Sequence, residues 1–159
     1  KYALDNFPLD PERVGIVGAS FGGYSALQSA ILEPDLFKAT VGIVGVYDFK
    51  LMYTNGDIRG RRSGRKYLEK ALGRDEVEFA EFSPLQRVNE LKAPVLLIQG
   101  EKDKRTPLIH ADKLAKRLKE VGHEFEYYIT PNEGHTLGYK AENRLANYER
   151  IRGWFDRYL

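Results

Sequence analysis

Four short strand-like segments alternate with helix-compatible segments along the chain. The predicted strands cover residues 14–17, 39–46, 94–100 and 124–129, and most are apolar and rich in β-branched residues. Helices are predicted at residues 21–32, 106–118 and 142–159, with shorter ones at 66–72 and 82–90. Because parallel strands are joined by helical crossovers, we expect an α/β fold with a parallel sheet and helices on both faces.

The turn after the first predicted strand carries a serine between two glycines. Residues 18–22 read Gly-Ala-Ser-Phe-Gly, which fits the Gly-x-Ser-x-Gly nucleophile elbow. In such a turn Ser20 projects from the sheet, and the N–H of Phe21 is half of an oxyanion hole. We expect side chains at positions 18 and 22 to crowd the turn. Two alternatives are a phosphate-binding turn, although no Gly-Lys-Ser/Thr ending follows, and a tight turn with a bystander serine.

Two further reactive side chains follow later strands. Asp103 comes after the third strand and His135 after the fourth, so the order is Ser, Asp, His, as in α/β-hydrolases. Ligands bind at the carboxyl ends of parallel strands, so we expect the three to meet there. His135 is then the general base for Ser20, and Asp103 orients the imidazole.

Other acidic and histidine residues compete for these roles. Asp48 also follows a strand, and its alternative role is in a turn or a helix cap. His110 lies within a predicted helix and His123 in a predicted surface turn, where structural or solvated roles are expected. Only His135 lies in a glycine-containing loop directly after a predicted strand.

Three motifs together resemble the catalytic domain of the prolyl oligopeptidase family, with the acylaminoacyl-peptidase and dipeptidyl-peptidase branches the most similar. They are residues 18–24, residues 94–107 and Glu133-Gly134-His135. The resemblance implies a serine peptidase that acts on short peptides, needs no cofactor and has an N-terminal β-propeller. An esterase or lipase-like hydrolase on the same fold, or a non-catalytic module, remains an alternative because the triad does not distinguish them.

The same resemblance places a substrate pocket over the sheet. The candidate pocket residues are Tyr47, Phe49, Met52, Tyr53 and Thr106, and the alternative for the aromatic cluster is simple packing. Thr106 stands where the family usually has valine, which affects the expected polarity of the pocket. His110 replaces a frequent glutamine, and Thr136 replaces the glycine after the histidine.

The composition of the chain excludes several kinds of functional site and of binding partner. The 159 residues carry a net charge of +2 and no cysteine, so no thiolate nucleophile, disulfide or cysteine metal site is possible, and no metal is predicted. No apolar run approaches the roughly 20 residues that span a bilayer, so no membrane partner is expected. The basic run from Arg59 to Lys66 lacks interleaved stacking aromatics, so we expect a solvated loop or a domain contact and not a nucleic-acid site.

The chain begins at Lys1, shortly before the elbow strand. A parallel strand needs neighbours, so we interpret residues 1–159 as part of an α/β-hydrolase catalytic domain whose upstream strands and probable β-propeller are absent. The second oxyanion donor of this fold precedes the elbow. Since one such donor is worth about 3–4 kcal/mol of barrier, we expect the isolated segment to be weak or inactive.

Overall fold

All four predicted strands form and pair side by side in one parallel sheet. The computed structural model describes residues 2–159; Lys1 and the side chain of Glu76 lie outside this description. The strands are β1 (Gly15–Ala19), β2 (Ala39–Ile43), β3 (Val95–Gly100) and β4 (Phe125–Thr130), in the spatial order β1-β2-β3-β4. Each neighbouring pair is parallel, which confirms the predicted α/β class.

Helices cover both faces of this sheet, as predicted. The helices are α1 (Tyr2–Asn6), α2 (Phe21–Leu32), α3 (Phe49–Thr54), α4 (Arg62–Leu72), α5 (Glu76–Phe82), α6 (Ile109–Glu120) and α7 (Ala141–Tyr158). On one face, α2 and α6 bury Leu27 and Leu114 against Leu97 of β3. On the other, Trp154 of α7 packs against Val41 and Leu96. Among the described residues, no helix has the length and apolarity to cross a membrane.

The segment between β2 and β3 is more helical than predicted. It holds α3, α4 and α5 and three 3₁₀ turns, at Asp57–Gly60, Pro84–Gln86 and Val88–Glu90. The single helix predicted at residues 82–90 is wrong: α5 ends at Phe82, and two 3₁₀ turns follow with Pro84 at the start of the first. A third apolar cluster that includes Phe49, Met52 and Leu68 packs these short helices against one another.

Strand β2 is shorter than its apolar run suggests. It ends at Ile43, and the next residue, Val44, has φ 43°. A positive φ is rare for a β-branched residue and turns the chain away from the sheet. Val44 is nevertheless fastened on both sides, since its N–H donates to the carbonyl of Ile98 at 2.8 Å and its carbonyl accepts from the Thr106 hydroxyl at 2.8 Å.

Candidate active site

Ser20 occupies a strained turn between β1 and α2. Its backbone has φ 57° and ψ −121°, a combination that is costly for a residue with a Cβ. The N–H of Ser20 donates to the carbonyl of Ile43 at 2.8 Å, and its own carbonyl accepts from the N–H of Gly23 at 3.0 Å. The sheet and the first turn of α2 therefore hold the serine in this conformation.

The two glycines of the motif have different reasons to be glycine. A Cβ on Gly18 would overlap the carbonyl group of Gly22, so the turn has no room for a side chain there. A Cβ on Gly22 would meet no atom within 4 Å, so the expected crowding at position 22 is wrong. Gly23 is the second tight position, because its Cβ would lie 2.9 Å from the Cα of Gly45.

The structure brings Ser20, His135 and Asp103 into one hydrogen-bonded chain. The Nε2 atom of His135 lies 2.8 Å from the Oγ of Ser20. Its Nδ1 atom lies 2.9 Å from the Oδ2 of Asp103. The three residues follow β1, β4 and β3, whose carboxyl ends share one edge of the sheet. If Nδ1 carries the proton, Nε2 is free to accept one from the serine hydroxyl.

The Asp103 carboxylate is buried but well supplied with donors. Oδ1 accepts from the N–H groups of Arg105 at 2.8 Å and Thr106 at 3.0 Å, and Oδ2 accepts from the Gln99 amide at 3.2 Å and from His135. Burial alone would raise the pKa of Asp103, but the hydrogen bonds from His135 and Thr106 outweigh it and hold the pKa below its ordinary value. Asp103 is therefore a charged partner for the imidazole.

Phe21 begins α2, directly after Ser20. The N–H groups in the first turn of a helix have no acceptor within the helix, so that of Phe21 can donate to another group. The positive end of the helix dipole lies at the same place. Phe21 therefore stays the predicted oxyanion donor, at a helix N-terminus next to Ser20.

The competing acid and histidines have other partners. Asp48 caps α3 by accepting from the N–H of Lys50 at 2.8 Å. His110 is fully buried, its Nδ1 accepts from the N–H of Tyr47 at 3.3 Å, and burial lowers its pKa to about 4. His123 bonds through Nε2 to the carbonyl of Ala93 at 2.9 Å. These contacts give all three structural roles.

A mainly apolar cavity of about 110 Å³ opens beside Ser20. Two of the predicted pocket residues, Met52 and Thr106, belong to its wall. The other lining residues are Phe21, Val46, Ile58, Tyr67, Leu68, Ala71, Leu72 and Arg105. Arg105 at the rim is paired with Asp57 at 2.5 Å, which leaves the interior without an unpaired charge. The cavity therefore suits an apolar group.

The aromatic residues predicted for the pocket are not part of this wall. Tyr47 is buried in the core between the sheet and α6, where Gly42 and Gly45 leave room for its ring. Phe49 is buried between the rings of Tyr24 and Phe79. Tyr53 stacks on Phe79 and bonds through its hydroxyl to the carbonyl of Gly73. For these three residues the packing alternative describes the structure.

Thr106 does not make the cavity polar. It is fully buried, and its hydroxyl oxygen lies 2.8 Å from the carbonyl of Val44, 2.9 Å from Oδ2 of Asp103 and 3.2 Å from Nδ1 of His135. The hydroxyl is thus engaged with the groups behind Ser20. Threonine in place of the family's usual valine therefore adds no unpartnered hydroxyl to the cavity wall.

A second, larger cavity of about 370 Å³ lies on the other side of the serine. Ser20 lines both cavities, but His135 lines only this one. Its remaining wall comes from the ends of β1 and β2, the loop after His135 and the first half of α7, including Arg144 and Tyr148. Sequence reasoning did not predict this cavity, although residues 142–144 and Tyr148 of α7 also resemble the prolyl oligopeptidase family and two of them, Arg144 and Tyr148, lie in its wall.

No metal site is evident in the part of the chain that the structure describes: no group of three or more His, Asp and Glu side chains is arranged to hold an ion. The basic run lies on the 3₁₀ turn at Asp57–Gly60 and the start of α4, where Arg59, Arg61, Arg62, Arg65 and Lys66 are exposed. This agrees with a solvated surface.

Comparison with known proteins places these observations in context. A model of the prolyl oligopeptidase family matches residues 1–159. An acylamino-acid-releasing enzyme of Arabidopsis thaliana is 27% identical over 99% of this chain and 21% of its own length. Dipeptidyl aminopeptidase BIII of Pseudoxanthomonas mexicana is 28% identical, over 92% of this chain and 22% of its own length.

Solved structures give the same result. A puromycin-hydrolyzing peptidase of Mycobacterium tuberculosis superposes with a TM-score of 0.89 at 27% identity. The superposition covers 99% of this chain and 24% of that one. The four-stranded sheet and its helices thus correspond to part of a peptidase structure, and the chain spans about a fifth to a quarter of the length of these three proteins.

Proposed function

The chain belongs to the prolyl oligopeptidase family, and we propose that it carries the catalytic triad of a serine peptidase that hydrolyses short peptides through an acyl-enzyme. The observation that carries this proposal is the hydrogen-bonded chain from the Oγ of Ser20 through His135 to Asp103, with distances of 2.8 and 2.9 Å. These are the distances at which a general base takes a proton from a nucleophile. The names of the relatives support the peptidase class.

In the first step, the Oγ of Ser20 attacks the carbonyl carbon of the scissile bond while its proton moves to Nε2 of His135. The negative charge of Asp103 stabilises the imidazolium that forms. The carbonyl oxygen becomes an oxyanion, which the N–H of Phe21 and the N-terminal end of α2 stabilise. One preorganised donor of this kind is worth about 3 kcal/mol of the barrier.

In the second step, the tetrahedral intermediate collapses and the peptide C–N bond breaks. The leaving amine takes the proton from Nε2 of His135, and the acyl group stays on Ser20 as an ester. A water molecule then attacks the ester carbonyl carbon and gives a proton to Nε2. The bond between that carbon and Oγ breaks, the acid leaves, and Nε2 returns the proton to the Oγ of Ser20. His135 is base and acid in turn, and no cofactor takes part.

We propose that each of the two cavities binds one half of the substrate. His135 must reach the leaving amine, so the leaving group lies in the cavity of about 370 Å³ that His135 lines. The acyl half then places its side chain in the apolar cavity of about 110 Å³, against Met52 and Leu68. We infer a preference for substrates with an apolar residue on the acyl side of the scissile bond.

The test uses the natural full-length gene product and a fluorophosphonate probe. We expect wild type to be labelled on Ser20 and to cleave peptide p-nitroanilides, and Ser20→Ala to lose both. Ser25→Ala, five residues further along α2 and exposed, is the matched control and keeps both. Labelling with turnover of p-nitrophenyl esters but not of peptides would replace the peptidase by an esterase. Absence of labelling, beside a labelled control hydrolase, would contradict both.

A further inference from the structure

Glu133 is a buried carboxylate two residues before His135, and the proposed reaction gives it no task. It lies in the loop that joins the end of β4 at Thr130 to the start of α7 at Ala141. Only 3% of its surface is exposed. Acidic side chains are rarely buried to this extent unless their oxygens are paired, so we expect hydrogen-bond donors at both oxygens of Glu133.

The carboxylate closes the loop around His135. Oε1 accepts from the N–H of Lys140 at 3.0 Å and from the side-chain amide of Asn143 at 3.0 Å. Oε2 accepts from the N–H of Tyr139 at 3.3 Å. One side chain at the start of the loop thus binds both its last residues and the first turn of α7, and His135 lies inside the closed segment.

The backbone of Glu133 is fastened on the opposite side. Its carbonyl accepts from the N–H of Lys102 at 2.8 Å, next to Asp103. Gly100 approaches the same segment so closely that a Cβ there would lie 2.8 Å from this carbonyl oxygen. Glu133 therefore connects the turn that carries Asp103 with the helix that follows His135.

The charge of Glu133 also suits its position. Lys140 is the N-cap of α7 and provides no side-chain cap, and the carboxylate of Glu133 accepts from its backbone N–H directly before the first turn of the helix. A negative charge at the N-terminus of a helix is favourable. Hydrogen bonds from Asn143 and from the Lys140 backbone keep the pKa of Glu133 below its ordinary value, so it is ionised at neutral pH.

We propose that Glu133 is a positioning residue whose carboxylate holds the 133–140 loop against α7 and thereby keeps Nε2 of His135 within hydrogen-bond distance of Ser20. It contacts neither Ser20 nor His135 in the hydrogen bonds that the structure describes. Its effect on catalysis therefore passes through the loop. This inference rests on the proposed function, because it assigns His135 the role of base.

Glu133→Gln is the informative substitution, because it keeps the shape of the side chain and changes one acceptor oxygen into an NH₂ group. An NH₂ group faces either Tyr139 N–H or the pair formed by Lys140 and Asn143, so at least one hydrogen bond becomes a donor–donor contact. Glu142→Gln is the matched control. Glu142 lies in the first turn of the same helix and is exposed, and its substitution by glutamine removes the same charge as Glu133→Gln.

The kinetic test uses the full-length gene product and one good peptide p-nitroanilide. A loop shift of about 1 Å costs up to roughly 100-fold in rate, so we expect kcat of Glu133→Gln to fall about 10- to 100-fold. KM should change less than kcat, because the acyl-side cavity of about 110 Å³ has no wall residue from the 133–140 loop. Glu142→Gln should match wild type. An unchanged kcat in Glu133→Gln, or an equal fall in Glu142→Gln, would overturn the proposal.

A second measurement separates this inference from the proposed function. Hydrogen exchange of the amides in residues 134–140 should become faster in Glu133→Gln and not in Glu142→Gln, whether or not the protein turns over peptides. Unchanged exchange rates would contradict the proposed role of Glu133 in holding the loop, even in an active enzyme.

Asn143→Ala should lower kcat in the same way. In the double variant with Glu133→Gln, the total loss of kcat should be smaller than the two single losses combined. Full additivity would show that the two side chains act independently, against the proposal.

Discussion

The N–H of Ser20 donates to the carbonyl oxygen of Ile43 at 2.8 Å, one residue beyond the last paired position of β1 and β2, where Ala19 faces Ile43. The sheet ladder therefore continues into the strained residue. A backbone of this kind costs on the order of 1–3 kcal/mol and persists only where its surroundings enforce it. The neighbouring strand provides that enforcement at Ser20.

Gly18→Ala should damage this turn, and Gly22→Ala should not. The Cβ at position 18 overlaps the carbonyl of Gly22, whereas the Cβ at position 22 meets open space. We expect Gly18→Ala to lower the free energy of unfolding by about 1–3 kcal/mol and to reduce kcat/KM. Gly22→Ala should be neutral or stabilising by up to about 1 kcal/mol. Denaturant unfolding checks both, and equal stability of the two variants would contradict the asymmetry.

Asp103→Asn should abolish most activity while Asp48→Asn leaves it intact. An asparagine NH₂ group donates to Nδ1 of His135, which forces the imidazole proton onto Nε2 and removes the base. We expect kcat to fall about 10⁴-fold at neutral pH. Asp48 only caps α3, a role that asparagine fills equally well. Steady-state kinetics of the two variants measure the difference, and similar losses in both would refute the assignment of Asp103.

Ala71→Leu should narrow the substrate range. Ala71 lies on α4 in the wall of the 110 Å³ cavity, so a larger side chain there takes space from the acyl residue. We expect kcat/KM for substrates with a large apolar residue to fall about tenfold, while substrates with glycine at that position are unaffected. Ala80→Leu, exposed on α5 and outside the cavity wall, is the control. A parallel loss for both substrates would place the acyl residue elsewhere.

His110 should make the fold sensitive to mild acid. Burial lowers its pKa from the ordinary 6.5 to about 4, although nearby Asp103 acts in the opposite direction. Between these values the unfolded chain binds a proton that the folded chain does not, so stability falls as pH drops from about 6.5 to 4. His110→Gln keeps an acceptor for the N–H of Tyr47 and should flatten this part of the curve. Thermal unfolding from pH 7.5 to 4.5 tests it; an unchanged slope would exclude His110 as the cause.

Much of the fold follows from patterns that act over short distances. The strands are predictable because runs such as residues 95–98 are apolar on both faces, which a buried parallel strand requires. The meeting of Ser20, Asp103 and His135 follows from the same reasoning, since parallel strands bring their carboxyl ends to one edge. The limits of β2 do not follow from it, because nothing in the run that continues to Val46 indicates a positive φ at Val44.

Features that depend on distant partners are not predictable from pattern alone. Tyr47 belongs to an aromatic cluster that is typical of a pocket, but its ring enters the core, where glycines 42 and 45 leave room for it. Glu133 belongs to a recognisable Glu-Gly-His motif, but its partners lie six to ten residues further along the chain. Its burial depends on how the loop returns to α7, which requires the tertiary structure.

Strand β2 supplies no side chain to the Ser20–His135–Asp103 chain, yet it lies between the strand that leads to Ser20 and the one that leads to Asp103. Adjacent strands are about 4.8 Å apart, so the presence of β2 separates the strand ends that carry the nucleophile and the acid by two interstrand distances. This spacing is fixed by backbone hydrogen bonds between the strands, and each of these bonds is either formed or broken. Heating should therefore switch activity off in one step, at the temperature where the sheet separates, with no gradual decline before it.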